Sequence, residues 1–401
     1  MSASKSQTPY TLISADCHAG ASVDGYREYL DPKYRDDFDA WRKAYRNPQK
    51  EHLGGKKTKN WDSDERVRDL EVEGVVAEVV FPNTVPPFYS TAFHVSPPPR
   101  PSEFERCLAG ARAHNRWLAE WCAKHPERRA GIGLILLNDL DEALKDVRWI
   151  AEHGLRGGVL LPGVPDDSRP IEPLYAPGYD RLWTLCQDLD LVVNQHSGAG
   201  SPDYGKYPAS NAVWVTEMQF FTKRSFTHLI LGGVFERFPK LKYILTESGC
   251  AWAPSVLKGL DSLHARMKKG FTGEVEFSGG ALPEKPSFYA NRNCWYGASF
   301  PSPRELEGRD VVGVERILWG ADYPHYEGTW PYTREHLRLT FASIDPTEVR
   351  AMLGENAAKL YGFDLKRLAA YAAKCGPTPE EVAQPLAEIP RDATSPAFWA
   401  A

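Results

Sequence analysis

The chain has 401 residues, 42% hydrophobic and 25% charged, with a formal net charge of −5. This is the balance of an ordinary folded globular protein, and the lack of a basic tract argues against a nucleic-acid partner. No apolar run approaches the ~20 residues needed to span a bilayer, and the opening MSASKSQTPY lacks the apolar core of a secretory signal.

In chain order, eight short apolar runs predict strands at 10–16, 75–82, 131–137, 157–162, 191–196, 243–247, 293–299 and 316–321. Most are continuously apolar rather than alternating, the pattern of strands buried on both faces. Helical periodicity follows at 103–124, 139–152, 178–189, 209–228, 252–269 and 346–361. Repeated strand–helix alternation predicts a parallel (β/α)₈ barrel, a TIM barrel, and 401 residues suit one such barrel with insertions. An open doubly wound sheet is the alternative. It is disfavoured because no GxGxxG follows the first strand.

Residues 1–364 are read as the barrel. The charged, aromatic-rich stretch 19–70 is an expected lid insertion after the first strand. Residues 83–101, rich in proline and aromatics, are an expected pocket wall. Residues 365–401 form a C-terminal extension expected to pack over the barrel or a neighbouring subunit. Seven cysteines without CxxC pairs suit a reducing, cytoplasmic setting.

Side chains that can ligate a metal stand at the downstream ends of the apolar runs. Asp16 and His18 are two apart on the first strand and share a face, while Cys17 between them points away. His196 ends the fifth strand before Ser197-Gly198-Ala199-Gly200. Glu247 ends the sixth, and a carboxylate there must be paired, protonated or metal-bound. Asp322 follows the eighth, where Gly320 and Ala321 permit close backbone approach, and His325 comes three residues later. All strand C-terminal ends of such a barrel open on one face, so these six can converge. Glu247, Asp322 and His325 are the candidates for catalysis. Glu327 reads as a solvated loop carboxylate and His228 as a structural histidine. Arg156 lies in a helix–strand loop at the wrong end of the barrel. Phe81, Phe88, Tyr89, Trp252, Tyr323 and Trp330 follow strands and would line a mouth for a small organic or aromatic acid.

At these residues the chain resembles the amidohydrolase superfamily, in the type 2 branch related to aminocarboxymuconate-semialdehyde decarboxylase. The resemblance spans about residues 10–364. It is carried by Asp16-Cys17-His18, DLEVEGVVAEVVFPN (69–83), EHGLRGGVLL (152–161), His196, GGVFERFPKLKYILTESG (232–249), RILWGADYPH (316–325) and GENAAKLYGFD (354–364). It implies a barrel holding a divalent ion, usually zinc or manganese, on Asp16, His18, His196 and Asp322. It also implies a homodimer. One position departs from the decarboxylase-type pattern: Glu247 stands where the sixth strand typically ends in an acid/base histidine.

Four readings follow. The first is hydrolysis by a metal-activated water, with Asp322 or Glu247 accepting the proton. The second is non-oxidative decarboxylation, with His325 or a bound water as the acid. The third starts from six ligands, more than one catalytic zinc needs. It is a dinuclear iron or iron/manganese oxygenase bridged by Glu247 and served by an external reductase, since the chain has no iron–sulfur or flavin motif. The fourth is a non-catalytic binding protein.

Overall fold

Each of the eight apolar runs forms a parallel strand in the computed structural model, which describes residues 8–46, 57–163, 171–277 and 279–399. The strands are β1 (Leu12–Ala19), β2 (Val75–Pro82), β3 (Arg129–Leu134), β4 (Gly158–Leu160), β5 (Val192–His196), β6 (Lys242–Thr246), β7 (Cys294–Ser299) and β8 (Ile317–Gly320). They pair in sequence order from β1 to β8. The seam between the first and last strands is drawn together by Asp322 N–H donating to the Asp16 carbonyl (2.9 Å) and His18 N–H donating to the Tyr323 carbonyl (2.7 Å). The barrel therefore closes at the candidate site itself.

Alternate strand residues enter different layers. Val193, Tyr243, Leu245 and Trp319 pack with the helix residues Trp117, Leu144, Trp183 and Phe226. Ile13, Val79, Ile132, Leu134, Val192, Ile244 and Leu318 belong to a second cluster, which they share with residues such as Leu108, Leu360 and Leu368. In β1 this alternation is reset. Ser14 pairs with Glu78 and Cys17 with Val80, so β1 spends three steps against two on β2. That one-residue bulge turns Asp16 and His18 to the Ile13 side and leaves Cys17 in the outer layer with Leu12.

The helix α1 (Arg35–Ala44) packs through Phe38 on Ala109 and Ala113 of α3 (Phe104–Cys122), which with α2 (Ser63–Val72), α4 (Leu140–Glu152), α5 (Asp180–Asp188), α6 (Ser210–Leu231) and α7 (Ala253–Met267) flanks the strands. The α2 helix starts at Asp62, whose carboxylate accepts from the Asp64 and Glu65 amides. It lies within the stretch read from sequence as insertion, and it is the helix that leads into β2. The helix predicted over 346–361 divides into Pro346–Arg350, a π-helical turn Ala351–Glu355 and Asn356–Tyr361. Gly354 in that turn sits where a Cβ would meet the Thr11 carbonyl, so helix and strand backbones touch. The C-terminal segment packs back on the barrel. Tyr10 N–H donates to the Pro377 carbonyl (2.9 Å), and the Ser395 hydroxyl lies within hydrogen-bonding distance of the carbonyls of Glu327 (2.8 Å) and Gly328 (2.6 Å).

Candidate metal centre

The site is built from the ends of β1, β5, β6 and β8. Gly320 makes it possible: a Cβ there would stand 2.6 Å from that of Asp16. Immediately beyond β6 and β8, Glu247 and Asp322 both have φ of 56°, a left-handed conformation that strains any side-chain-bearing residue. Such strain recurs where a chain must aim a functional group.

Asp16, His18, His196 and Asp322 are all buried. His18 Nε2 lies 3.3 Å from Asp16 Oδ1 and 3.2 Å from Asp322 Oδ1, and His196 Nε2 lies 3.5 Å from Asp16 Oδ1. His325 Nδ1 is 2.9 Å from Asp322 Oδ1. Close as they are, Asp16 Oδ1, His18 Nε2, His196 Nε2, both Asp322 oxygens and His325 Nδ1 make no hydrogen bond among the described residues. Buried polar atoms are ordinarily satisfied. Nitrogen and oxygen ligands of a zinc-sized ion bind at about 2.0–2.2 Å, which sets neighbouring ligands about 3 Å apart. The donor set fits a divalent cation.

The other ring nitrogens support this fit. His18 Nδ1 lies 3.1 Å from the Pro82 carbonyl, and His196 Nδ1 lies 3.1 Å from the Ser197 carbonyl and 3.4 Å from Glu247. A carbonyl accepts only, so each Nδ1 carries a proton, and each Nε2 faces the centre, where the neutral ring would offer an ion its lone pair. Ser299 Oγ donates to Asp16 Oδ2 at 2.5 Å. His325 Nε2 meets Asn83 Oδ1 at 3.1 Å, and Asn83 in turn donates to Asn60 Oδ1 at 2.7 Å.

With no ion bound, charges within the cluster oppose burial. Burial alone would raise Asp16, but His18 and His196 hold its carboxyl well below the usual range. Burial would lower His18, yet Asp16 and Asp322 hold the ring well above an ordinary histidine. For Glu247 the balance falls the other way: burial, then Asp322 and Asp16, push its carboxyl well above the ordinary value, and the opposing charge of His18 does not offset them.

All six residues singled out from sequence come together here. Two further groups that could bind a cation stand beside these six. Glu327, expected to be a solvated loop carboxylate, offers an oxygen within 4.8 Å of Glu247 and Asp322, on a loop that turns back to the strand end where Thr329 N–H donates to the Ala321 carbonyl (3.0 Å). His94, on the loop after β2, places its ring centroid 4.8 Å from that of His196. Of the six aromatics expected at the mouth, Phe81 stands 4.7 Å from the His196 ring, centroid to centroid. Phe88 packs on Trp41 and Phe38, Trp252 packs on Phe226 and Tyr296, and the Tyr323 hydroxyl donates to Asp69. Arg156 donates to the carbonyls of Gly362 and Glu127, well away from the cluster. His228 rests against Tyr175.

Fold and site together define a parallel-barrel enzyme with a candidate metal centre at the strand ends. The chain belongs to the amidohydrolase family, whose model matches residues 100–363. The 2-amino-3-carboxymuconate-6-semialdehyde decarboxylase of Dictyostelium discoideum is 22% identical over 309 residues, covering 76% of this chain and 77% of that protein. The gamma-resorcylate decarboxylase of Rhizobium sp. (strain MTP-10005) is 26% identical over 267 residues, covering 63% and 76%. The solved 5-carboxyvanillate decarboxylase from Sphingomonas paucimobilis superposes with a TM-score of 0.66 at 21% identity, over 88% of this chain and 100% of that one. A dihydroxybenzoic acid decarboxylase from Polaromonas sp. JS666, solved with manganese and 2-nitroresorcinol, gives a TM-score of 0.61 at 19% identity, covering 88% and 97%. The protein is thus an enzyme in the class of metal-dependent hydrolases and carboxy-lyases. No helix among the described residues is long and apolar enough to cross a membrane.

Proposed function

We propose that the protein is a metal-dependent carboxy-lyase that removes CO₂ from a small aromatic or enolic acid, with the ion held by Asp16, His18, His196 and Asp322. The observation that carries this reading is the placing of His325. Its ring has Asp322 at one nitrogen and Asn83 at the other, at the edge of a buried donor cluster. A divalent ion there, manganese in the Polaromonas neighbour, would neutralise the substrate carboxylate and draw charge from the ring. The chain's own groups do the rest. Phe81 gives an apolar wall beside His196. As the bond to the carboxylate carbon breaks, its electron pair stays on the ring carbon. His325 delivers a proton to that carbon, CO₂ departs, and solvent restores the proton to the imidazole.

Decarboxylation is favoured over hydrolysis because the relatives named above are decarboxylases. The test is to load the purified protein with manganese and offer a panel of ortho-hydroxybenzoates in D₂O. The expected product carries deuterium at the carbon that held the carboxylate, with one equivalent of CO₂ released. Cleavage of an ester or amide panel without CO₂ would sink the reading in favour of hydrolysis.

A second reading rests on Glu247 itself. A carboxylate where decarboxylase-type members carry histidine makes the donor set suit iron, and with it an oxygenase fed by an external reductase. Dioxygen consumption by iron-loaded protein with a chemical reductant and an aromatic acid would favour this alternative.

A further inference from the structure

We propose that Ser299 sets the cation preference of the metal centre: by engaging one oxygen of Asp16, it leaves an ion a single oxygen there. The inference rests on the reading of Asp16, His18, His196 and Asp322 as the holders of that ion.

The candidate ligands come from the ends of β1, β5, β6 and β8, and β7 supplies none of them. Yet β7 ends in Ser299, which is buried and donates from Oγ to Asp16 Oδ2 at 2.5 Å. That bond spans a whole strand. β8 runs between β7 and the seam with β1, and its Gly320 is the pairing partner of Ser299. Because Gly320 has no side chain, the hydroxyl can pass over it to reach β1. A Cβ at 320 would stand 3.2 Å from Ser299 Oγ and 2.6 Å from the Asp16 Cβ.

The backbone just beyond Ser299 is held like the two strand ends that carry carboxylates. Phe300 has φ of 37°, where Glu247 and Asp322 have 56°, so three successive strands are each followed by a left-handed residue bearing a side chain. Strain of this kind gathers where a chain aims functional groups. Phe300 N–H donates to the Gly320 carbonyl (2.9 Å), which fixes the β7 end against β8.

The two carboxylates of the centre therefore differ. Both Asp322 oxygens and Asp16 Oδ1 have no hydrogen bond among the described residues, whereas Asp16 Oδ2 has a hydroxyl donor. A hydroxyl-to-carboxylate bond of about 2.5–2.7 Å is charge-assisted and strong. An ion that took both Asp16 oxygens would have to break it. Calcium gathers about 6–8 oxygen ligands and readily takes a carboxylate by both oxygens, so the number of oxygens on offer decides how well a site binds it. Octahedral Mn²⁺ and tetrahedral Zn²⁺ need fewer ligands, and zinc also accepts the imidazoles of His18 and His196. With Oδ2 held by Ser299, the donor set favours these smaller ions over calcium.

The test is binding of Mn²⁺ and Ca²⁺ to metal-free protein, read from the electron paramagnetic resonance of free Mn²⁺ and, for Ca²⁺, from its displacement of bound Mn²⁺. Ser299→Ala should weaken Mn²⁺ binding about 10–100-fold, the usual effect of losing a group that orients a ligand. Ca²⁺, now free to take both Asp16 oxygens, should lose less, so the ratio of the two affinities should move at least about tenfold toward Ca²⁺. Ser299→Thr keeps the hydroxyl and should restore the wild-type ratio. A structural role alone would lower both affinities together or neither. Circular dichroism and thermal unfolding of the metal-free proteins check that each variant is folded. An unmoved ratio in Ser299→Ala overturns the proposal and leaves the metal centre standing, as does a Ser299→Thr protein with the ratio of Ser299→Ala. Failure of wild type to bind Mn²⁺ overturns the reading of the centre and this inference with it.

Discussion

Two buried ionic clusters lie on either side of β1 and β2, and they differ in how their polar atoms are used. Behind the strands, Glu78 of β2 is gripped by Arg66 of α2 (Nη2 to Oε2 2.7 Å, Nε to Oε2 2.8 Å) and by Arg129 (Nε to Oε1 3.3 Å). The remaining donors also find acceptors. Arg66 Nη1 reaches the carbonyls of His18 (2.8 Å) and Lys59 (3.1 Å), and Arg129 Nη1 reaches Ser63 Oγ and the Trp121 carbonyl (each 2.9 Å). Inside the mouth, Asp16, His18, His196, Asp322 and His325 are as close together, yet six of their atoms are without a hydrogen bond. Both clusters are buried and ionic. Satisfaction is what separates a cluster that holds the fold from one that waits for a ligand.

That contrast can be broken by mutating each cluster. The largest effect is expected from Asp322→Asn, which keeps the shape of the side chain and removes its charge. kcat/KM should fall at least a thousandfold, about 4 kcal/mol in the barrier, while the variant unfolds within about 1 kcal/mol of metal-free wild type. Retention of a tenth of the activity would remove Asp322 from the centre. In the other cluster, Glu78→Gln should cost about 3–5 kcal/mol in urea unfolding, because Arg66 and Arg129 are left buried without their anion. A loss below about 1 kcal/mol would show that this network does not hold the β1–β2–α2 corner. Removing the ion with a chelator is the next largest perturbation. A ligand at 100–1,000 times its Kd stabilises by about 2.7–4.1 kcal/mol, so thermal scans before and after chelation should differ by that amount and be restored by Mn²⁺. An unchanged midpoint would argue against a bound ion.

The same contrast explains what could be read from the sequence. The barrel was legible because eight short apolar runs, most of them continuous as burial on both faces requires, recur along the chain, and all eight became strands. The six candidate ligands were legible because they sit at strand ends, whose convergence is a property of the fold and needs no coordinates. Glu327, His94, Asn83 and Ser299 were not singled out. Glu327 and His94 reach the site through loops with no periodicity, Asn83 acts through its contact with His325, and a serine at a strand end is unremarkable until Asp16 is placed opposite it. The bulge in β1 was invisible for a related reason. One extra residue leaves the local spacing of Asp16 and His18 unchanged and alters only which layer they enter. Glu78 was seen only as part of the apolar run VVAEVVFP, since its two arginine partners lie 12 and 51 residues away.

The smallest effect, and the one that sharpens the contrast most, concerns acid. Burial would raise Glu78, but Arg66 and Arg129 overcome it and hold the carboxyl below its ordinary value. In the unfolded chain the same group titrates near its reference value of about 4.3. Between those two values the unfolded state binds a proton that the folded state refuses, so stability there rises with pH. The contribution of Glu78 is therefore complete above about pH 4.3 and is lost as pH falls through the depressed folded value, at about 1.4 kcal/mol per unit of separation. Metal-free wild type and metal-free Glu78→Gln should differ by a constant amount from pH 7 to pH 5, and the gap should narrow as pH falls below about 4. Comparing the two proteins cancels the titration of the mouth cluster, which both share. A gap that stays constant down to the acid limit would mean that Glu78 is not the charge that Arg66 and Arg129 hold.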